Sequence, residues 1–266
     1  MPEKFITSPQ NEYVKELVEL RKDGETRRVR KRFFLEGRRA VETALSTATV
    51  TIHELIYCEH LFNDPACGAV LERANEKGVT LVRVSKDVFR KMADVMTPQG
   101  LAAVVALPEW SVETLFARPQ PLVIVACGIQ DPGNLGTLIR SCEAAGVAGL
   151  IALEGTADMF NGKVVRSTAA ALLTLPVVRL KADAFLKLAA KNSLLLVATA
   201  SVGGTPFKKF DWSKRPLALC IGSEGAGLPD AIAAACTEQV SIPMRGSAES
   251  LNAAVAASIL LFEALA

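Results

Sequence analysis

Three segments in the second half of the chain combine glycine with polar residues that could bind a ligand. Residues 131–136 read DPGNLG, and Arg140 follows Asn134 by six positions, which is between one and two helical turns. Residues 222–229 read GSEGAGLP, with Glu224 among three glycines. Because glycine lets a backbone approach a ligand closely and presents bare N–H and C=O groups, this segment is a candidate binding loop. The alternative is a set of ordinary turns with a solvated arginine.

The third segment reads IPMRG over residues 242–246 and is followed by Ser250 and Asn252. Ser250 fits an N-cap of the last apolar helix, whereas Asn252 falls inside the predicted helical run and is less simply explained as a cap. Asn134 likewise fits the N-cap of its helix. Ligands of open α/β sheets bind outside the carboxyl ends of strands, which makes loops at strand ends the places to look. These loops are therefore where a ligand is expected.

Residue spacing disfavours several other kinds of site. The loop 222–229 lacks both the Gly-Lys-Ser/Thr ending of a P-loop and the spacing of a dinucleotide fingerprint, which disfavours a nucleotide-dependent oxidoreductase. The two histidines, His53 and His60, do not stand at metal-ligand spacing, so we predict no metal. The cysteines lack the spacing of zinc or redox sites and are expected to be buried, reduced thiols: Cys58, Cys67, Cys127, Cys142, Cys220 and Cys236.

Composition predicts a folded, soluble protein with one basic surface. The chain has 266 residues, half of them hydrophobic, which suffices for one large domain or two ordinary ones. It opens as MPEK without an apolar signal core, and its longest uncharged stretches, 192–207 and 250–262, are shorter than a membrane span, so we expect a cytoplasmic location. The net charge is only +2, yet residues 21–39 hold nine basic residues against three acidic ones. Either this segment meets a polyanion or it is a solvated helix face.

Hydrophobic periodicity predicts a small α/β domain at the N-terminus. Ser8 and Pro9 fit the start of a first helix that runs into the basic segment. Strands and helices then alternate, which is typical of an α/β fold. The predicted strands are 33–35, 52–57, 79–84 and 101–106, and the predicted helices are 38–45, 66–76 and 86–95.

A second α/β domain is predicted after a proline-rich linker. Residues 107–121 contain three prolines and no sustained period, which separates an N-terminal domain, 1–106, from a C-terminal domain, 122–266. The predicted strands of the C-terminal domain are almost wholly apolar, as in a parallel sheet covered on both faces; they are 122–128, 150–153, 194–200 and 217–221. Its predicted helices are 135–145, 162–173, 182–191 and 251–264.

Together, the three loops resemble the signature motifs of the SpoU/TrmH family of RNA 2′-O-ribose methyltransferases, within the SPOUT class. The matching patterns are Asn134-x-Gly136-x-x-x-Arg140, then IGSEGAGL at 221–228, then IPM at 242–244 with SLN at 250–252. The N-terminal part is similar to the RNA substrate-binding domain of many members, notably at 33–45 and 97–100. One departure is Ala170, where relatives usually have glycine, which concerns the local backbone and not the reaction class.

The resemblance implies a fold, a cofactor and an assembly. The C-terminal domain is expected to be a SPOUT α/β domain with a parallel sheet and a backbone that forms a deep trefoil knot. The chain is expected to form a homodimer. S-adenosyl-L-methionine is expected to sit against backbone groups of the second and third loops. The residues implied are Gly222, Ile242 and Leu251, with Thr199, Met244 and Ser250 as secondary candidates.

The resemblance also assigns catalytic residues. Arg140 takes the central role, as a base or as a stabiliser of charge, in a site completed by the other subunit. Because a guanidinium has a pKa of about 12 or more, we favour stabilisation of the oxyanion and of phosphate. Asn134, Glu224, Ser250 and Asn252 would orient the ribose, the arginine and the cofactor.

The implied substrate is RNA, since only RNA carries the 2′-hydroxyl. The first domain is expected to hold it through Arg27, Arg28, Arg30, Lys31 and Arg32, and its resemblance favours large-subunit (23S) ribosomal RNA over transfer RNA. The alternative of a different class is a catalytically silent RNA-binding or ribosome-assembly protein that keeps the fold as a scaffold.

Overall fold

The computed structural model describes residues 4–62, 64–247 and 249–266, and the chain divides into two units. One unit comprises Met1–Glu109 with Asp158–Leu173, and the other comprises Trp110–Ala157 with Thr174–Ala266. The segment Asp158–Leu173 thus groups with the first unit, although the sequence prediction places everything after residue 121 in the second domain. The opening MPE, from which the absence of a signal sequence was predicted, lies outside the described residues.

The first unit is built on a mixed β-sheet. Within the described part of the chain its strands pair in the order β1-β4-β3-β5-β2, where β5 is antiparallel to both neighbours and the other pairs are parallel. The strands are β1 (Lys4–Ile6), β2 (Arg32–Glu36), β3 (Ile52–Tyr57), β4 (Thr80–Val84) and β5 (Leu101–Ala106). The helices are α1 (Glu12–Lys22), α2 (Gly24–Arg30), α3 (Arg38–Ser46), α4 (Ala66–Glu76), α5 (Lys86–Met92) and, later in the chain, α7 (Gly162–Ser167).

The second unit is built on a parallel β-sheet, as predicted from its apolar strands. Among the described residues seven strands pair in the order β10-β12-β9-β11-β6-β7-β8, and every pair is parallel. The strands are β6 (Leu122–Cys127), β7 (Gly149–Leu153), β8 (Val177–Leu180), β9 (Leu195–Ala200), β10 (Thr205–Pro206), β11 (Leu217–Gly222) and β12 (Glu238–Ser241). The helices are α6 (Pro132–Ala145), α8 (Ala182–Lys191), α9 (Asp230–Ala235) and α10 (Ala253–Ala264).

Burial explains why the strands of the second unit need no polar face. Every residue of β6 and of β7 is buried, because helices and neighbouring loops cover both sides of the sheet. The predicted linker is not wholly irregular, since residues Val112–Phe116 form a 3₁₀ helix that buries Leu115. In the described part of the chain no helix is long and apolar enough to cross a bilayer. The trefoil knot implied by the resemblance stays a prediction.

Three predicted helix starts are wrong, and each error is one of capping. Helix α1 is capped by Asn11, whose side chain accepts a hydrogen bond from the N–H of Tyr13, and not by Ser8. Helix α6 is capped by Asp131 and not by Asn134. Helix α10 begins after Asn252 and not at residue 251, so Asn252 is the cap and Ser250 lies outside the helix.

The predicted helix 162–173 is interrupted at Ala169 and Ala170. These two residues have φ angles of +48° and +78°, which L side chains rarely adopt. Helix α7 therefore ends at Ser167, and only a short 3₁₀ turn, Ala171–Leu173, follows. The interruption falls at the position where the resemblance leads one to expect glycine, which adopts positive φ without strain.

Candidate active site

Loops that follow three neighbouring strands enclose a cleft in the second unit. Strands β12, β9 and β11 lie side by side and run parallel, so their carboxyl ends meet at one edge of the sheet. The cleft between these loops has a volume of about 870 Å³. Glu224 and Ser250 line it. The other residues predicted to contact the cofactor line the cleft as well; they are Thr199, Gly222, Ile242, Met244 and Leu251.

The glycine loop after β11 owes its shape to contacts within itself. The N–H of Ser223 donates to the carbonyl of Gly227 at 3.1 Å, and the N–H of Gly227 donates to the carbonyl of Ser223 at 2.9 Å. Gly227 has a φ of +68°. A Cβ added at Gly222 would lie 2.4 Å from the carbonyl carbon of Gly227, so a larger residue at position 222 would displace the loop. The glycine at 222 makes room for the loop itself, whereas the sequence prediction gave the glycines the task of making room for a ligand.

A hydrogen-bonded triangle joins the segments that follow β6, β11 and β12. Glu224 Oε1 accepts from Asn134 Nδ2 at 2.9 Å and from Asn252 Nδ2 at 2.8 Å. Asn252 Nδ2 also donates to Asn134 Oδ1 at 2.9 Å. The same carboxylate oxygen accepts from the backbone N–H of Ala253 at 3.3 Å. Side chains that are 28 to 118 residues apart in the sequence are therefore fixed against one another at the start of two helices.

Helix caps position two corners of this triangle. The side chain of Asp131 accepts from the N–H of Asn134 at 2.8 Å, which holds Asn134 in the first turn of α6. Asn252 Oδ1 accepts from the N–H groups of Ala254 and Val255 at 3.1 and 3.2 Å. Asn252 therefore caps α10 with its oxygen and reaches the triangle with its nitrogen. Asp131 was missed from the sequence, although an acidic residue directly before Pro132 is a signal for an N-cap followed by proline at the first helical position.

Arg140 and Ser250 lie outside the triangle. Arg140 is exposed on α6 and has no hydrogen bond or ion pair with the rest of the described chain. Ser250 is exposed at the cleft and does not serve as the cap that the sequence predicted. Of the five predicted catalytic residues, the structure thus brings Asn134, Glu224 and Asn252 into direct contact and leaves these two free to meet other groups.

The thiols of the second unit are free, and one of them lies at the cleft. All six cysteines of the chain are unbridged, and five are buried as predicted. Cys236 is the exception, since it is half-buried and lines the cleft. Thr199 Oγ1 donates to the carbonyl of Cys220 at 3.0 Å and so ties β9 to β11 at the cleft floor. Across the described residues, no three His, Cys, Asp or Glu side chains are grouped as metal ligands would be.

The basic segment of the first unit presents some, not all, of its predicted RNA-binding residues to solvent. Arg28 is exposed, Arg30 lies 3.6 Å from Glu16, and Lys31 lies 3.5 Å from Glu109, all with their charged groups at the surface. Arg32 is half-buried, and its Nε donates to the carbonyl of Arg30 at 3.4 Å.

Arg27 corrects the prediction, because it is only 2% exposed. Its guanidinium donates to the carbonyls of Leu20 and Arg21 at 2.6 and 2.9 Å and forms an ion pair with Asp158. These carbonyls belong to the last turn of α1, and the carbonyl groups of a last turn have no hydrogen-bond donors within the helix. Arg27 therefore holds α1, α2 and the segment beginning at Asp158 together, and it offers no charge to RNA.

Family models match both parts of the chain. A model described as the SpoU rRNA methylase family matches residues 121–262, which is more than half of the sequence and contains all three loops. A model described as the MRM3-like substrate-binding domain matches residues 11–103.

Named relatives and solved structures agree with these matches. The chain is 34% identical over 259 residues to the 23S rRNA (guanosine(2553)-2′-O)-methyltransferase RlmP of Bacillus subtilis (strain 168), covering 97% of this chain and 98% of the relative. It is 30% identical over 243 residues to the 23S rRNA (guanosine-2′-O-)-methyltransferase RlmB of Shewanella oneidensis, covering 89% and 98%. Its fold is similar to that of an AdoMet-bound rRNA methyltransferase from Sinorhizobium meliloti, with a TM-score of 0.85, 30% identity, and coverage of 98% and 97%.

Proposed function

The chain belongs to the SpoU rRNA methylase family, and from that premise we propose that it transfers the methyl group of S-adenosylmethionine to a ribose 2′-hydroxyl of 23S ribosomal RNA. The observation that carries the proposal is the triangle of Asn134, Glu224 and Asn252 beside the cleft. It joins the three loops whose motifs define the resemblance. A scaffold protein that had lost the reaction would need this frame for folding only, and it would have no need of Arg140, which is exposed and makes no hydrogen bond or ion pair within the described chain.

The cleft fits the cofactor in size and in chemistry. Its volume of about 870 Å³ lies within the range of small-molecule sites, which is roughly 300–1,000 Å³. The turns around Gly222, Ile242 and Leu251 supply backbone groups and apolar surface, which suit an adenosine better than charged side chains would. Thr199 and Met244 complete the lining. When bound, S-adenosylmethionine supplies an electrophilic methyl group on a sulfonium, so the protein has mainly to hold donor and acceptor in line.

The acceptor needs help that this chain can give through Arg140. A ribose hydroxyl is a poor nucleophile at neutral pH and must lose its proton or have its developing charge stabilised. Both histidines, His53 and His60, lie in the first unit. A guanidinium keeps its proton, so Arg140 stabilises the oxyanion and the neighbouring phosphate by charge-assisted hydrogen bonds. Its free, exposed position on α6 leaves its donors available for the substrate.

The exposed face of α10 supports a homodimer. Val255, Ile259 and Phe262 of α10 are 36–55% exposed and recur every three or four residues, which places them on one stripe, and Leu265 at the C-cap is 44% exposed. An apolar stripe of this kind on a surface helix marks an interface. Helix α10 packs on α6, where Ser258 and Ser141 share a hydrogen bond of 2.7 Å. A second copy seated on α10 would therefore lie near the helix that carries Arg140, and the site would be completed by two subunits.

Ribosomal RNA is held by the first unit in this proposal. Arg28, Arg30, Lys31 and Arg32 carry charge at or near the surface and can neutralise phosphates without reading sequence. The residues between 11 and 103 match a substrate-binding domain, which agrees with that role. A cytoplasmic location, where ribosomal RNA is available, belongs to the same proposal.

Methyl transfer from labelled S-adenosylmethionine tests the proposal. Total RNA from cells that lack this protein is offered as separate 23S, 16S and transfer RNA fractions, and label is expected in 23S RNA alone. Resistance of the labelled linkage to alkaline hydrolysis identifies the 2′-O position. Label in transfer RNA would identify transfer RNA as the substrate. Absence of label in every fraction, despite cofactor binding, would favour the catalytically silent scaffold protein.

A further inference from the structure

Basic residues of the second unit are concentrated in one short segment. The unit contains as many Lys and Arg residues as Asp and Glu residues, eleven of each, so it is neutral as a whole. Four of the basic residues fall within 207–215, which reads FKKFDWSKR and contains one acidic residue, Asp211. The Asp211 carboxylate accepts from the N–H and the hydroxyl of Ser213 at 3.1 and 2.6 Å, within its own turn. Basic residues clustered in a neutral unit are typical of a surface that meets a polyanion.

The fold places this segment at the edge of the sheet where the cleft lies. Strand β10 runs parallel to β12, with Pro206 opposite Ser241, so the two strands end at the same carboxyl edge. Residues Phe207–Lys209 form a 3₁₀ helix directly after β10. The turn before β10 lines the cleft through Ser201 and Val202. The basic segment therefore lies beside the cleft, at the edge where parallel sheets bind their ligands.

Aromatic side chains hold the segment in a fixed shape. Trp212 Nε1 donates to the carbonyl of Phe207 at 2.8 Å, and the rings of Phe210 and Trp212 meet edge to face at a centroid distance of 4.7 Å. Phe210 is buried. Arg215 donates to the carbonyl of Ala264 at 2.9 Å, which ties the end of the segment to α10. Because the lysines stand on an ordered turn, a ligand that binds them has little backbone to immobilise.

Lys208 and Lys209 are the lysines of this segment whose charge is available. Lys214 forms an ion pair with Glu238 at 3.0 Å. Lys208 and Lys209 are exposed, and neither has an ion pair with a residue that the structure describes. The Lys208 ammonium lies 5.9 Å from the centroid of the Phe207 ring, which leaves its hydrogen-bond donors to solvent. These two charges are therefore free to meet phosphate.

We propose that Lys208 and Lys209, together with the exposed Arg245 after β12, form a second RNA-binding surface that holds the phosphates next to the ribose to be methylated. The proposal rests on the proposed function, since it takes RNA as the polyanion. Lysine neutralises phosphate as a point charge and reads no base edge. The surface would thus add affinity and place the RNA strand at the cleft without selecting its sequence.

The double variant K208A/K209A tests the proposal in the full chain. Its affinity for 23S RNA from cells that lack this protein is measured at several salt concentrations. Each phosphate contact contributes about 0.7 to the slope of log K against log salt for a single strand, so the slope should fall by about 1.4 and the affinity roughly tenfold at about 0.15 M salt. Calorimetric affinity for S-adenosylhomocysteine and the melting temperature should not change, because both side chains are exposed and neither lines the cleft.

The matched control is K187A/K191A, which removes the same charge from the same unit. Lys187 and Lys191 are exposed on α8. Helix α8 ends at Lys191 and β9 begins at Leu195, so Lys191 lies at the amino end of β9, at the edge of the sheet opposite the cleft. The control is expected to keep the affinity and the salt slope of the unsubstituted chain. Equal weakening in the two double variants would show that only total charge matters and would overturn the proposal.

Interference by phosphate ethylation shows which phosphates the lysines contact. Ethyl groups next to the methylated ribose are expected to weaken binding by the unsubstituted chain and to have less effect on K208A/K209A. A difference confined to phosphates far from that ribose, or no difference, would overturn the proposal.

Sedimentation velocity separates RNA from a protein partner. A monomeric K208A/K209A variant would assign the two lysines to a contact between subunits and would also overturn the proposal. If the unsubstituted chain binds 23S RNA and transfers no methyl group, the proposed function fails, and the difference in salt slope still decides whether Lys208 and Lys209 bind RNA.

Discussion

At the scale of single residues, Arg140 and Glu224 are employed in opposite ways. The carboxylate oxygen Oε1 of Glu224 accepts N–H groups from Asn134, Asn252 and Ala253, so Glu224 is committed to holding loops in place. The guanidinium of Arg140 is exposed and points its donors to solvent. The site therefore combines a hydrogen-bonded frame with an exposed positive charge, and substitutions of Glu224 and of Arg140 should have different effects.

Arg140→Ala is expected to lower kcat for methyl transfer by roughly 10²- to 10³-fold, as for removal of one stabilising donor of an oxyanion. Cofactor affinity should be unchanged, because Arg140 does not line the cleft. Single-turnover methylation and calorimetry measure the two quantities. Arg140→Lys keeps the charge without the planar fork and should recover only part of the rate. Equal loss of rate and cofactor affinity in Arg140→Ala would contradict this assignment.

Asn252→Asp should destabilise the protein more than Asn252→Ser, although both residues are good N-caps. Aspartate keeps the cap of α10 but replaces the Nδ2 donor by a carboxylate facing Glu224. Because Asn252 and Glu224 are exposed, the expected cost is about 0.5–1.5 kcal/mol, the net worth of an ordinary hydrogen bond. Like charges raise the pKa of such a pair in the folded state, so the deficit of the aspartate variant should shrink as pH falls. Urea unfolding between pH 5 and pH 8 checks this, and a pH-independent deficit would contradict it.

At the scale of elements, periodicity predicted what is long and apolar. Strands β3 and β5 and helices α4 and α8 have the bounds that the sequence predicts. The short strands β1, β8, β10 and β12 and helix α9 were missed. Strand β12 has only one buried residue, Val240, so no apolar alternation announces it. That strand forms one side of the cleft, and its place became apparent only when the sheet order was known.

The candidate site was predicted in content and not in arrangement. The motif spacing identified the residues of the triangle. It did not predict that Asn252 is both the N-cap of α10 and a member of the triangle, because this depends on where α10 begins. The prediction that Arg27 binds RNA was wrong for a similar reason. Its neighbours in sequence are exposed arginines, and its burial arises from the distant Asp158.

Ala170→Gly should stabilise the protein by about 0.5–1 kcal/mol. The left-handed backbone costs an L-residue roughly 1–2 kcal/mol, which glycine avoids. Part of this gain is offset because the unfolded chain has more conformational entropy with glycine. Ala170 has a φ of +78°. Ala171→Gly, in the following turn, is the control and should destabilise by a similar amount. Thermal and urea unfolding measure both variants. Stabilisation by the control, or its absence in Ala170→Gly, would show that φ is not the cause.

Arg27→Ala and Arg28→Ala should separate stability from RNA binding within one helix. Arg27→Ala leaves two carbonyls of α1 and the carboxylate of Asp158 without their donor, a loss of about 1–3 kcal/mol for each buried group left unsatisfied. Arg28→Ala should change the unfolding free energy by less than about 0.5 kcal/mol. It should instead weaken RNA binding and reduce its dependence on salt.

Urea unfolding and RNA titrations at two salt concentrations distinguish these outcomes. The double variant Arg28→Glu and Arg30→Glu should impair RNA binding further while leaving cofactor affinity intact. Equal loss of both affinities would point to misfolding and would remove the basic segment from the RNA-binding surface.

At the scale of the whole molecule, the apolar stripe of α10 predicts an assembly. Phe262→Asp should convert the dimer to a monomer and abolish methyl transfer, because a buried carboxylate opposes the interface and the site loses its partner subunit. Sedimentation velocity measures the state. Met96→Asp, which changes an equally apolar and 97% exposed residue of the first unit, is the control and should stay dimeric. A dimeric Phe262→Asp variant would place the interface elsewhere.

Residues Asp158–Leu173 group with the first unit, which limits how one unit can be replaced by that of a relative. The chain crosses between units after residues 109, 157 and 173, so neither unit is a continuous stretch of sequence. A chimera that takes only residues 1–109 from a relative would separate Arg27 from Asp158, its ion-pair partner in this chain. An exchange that keeps the first unit intact has to move residues 1–109 and 158–173 together, although the second piece lies within the span that matches the methylase family.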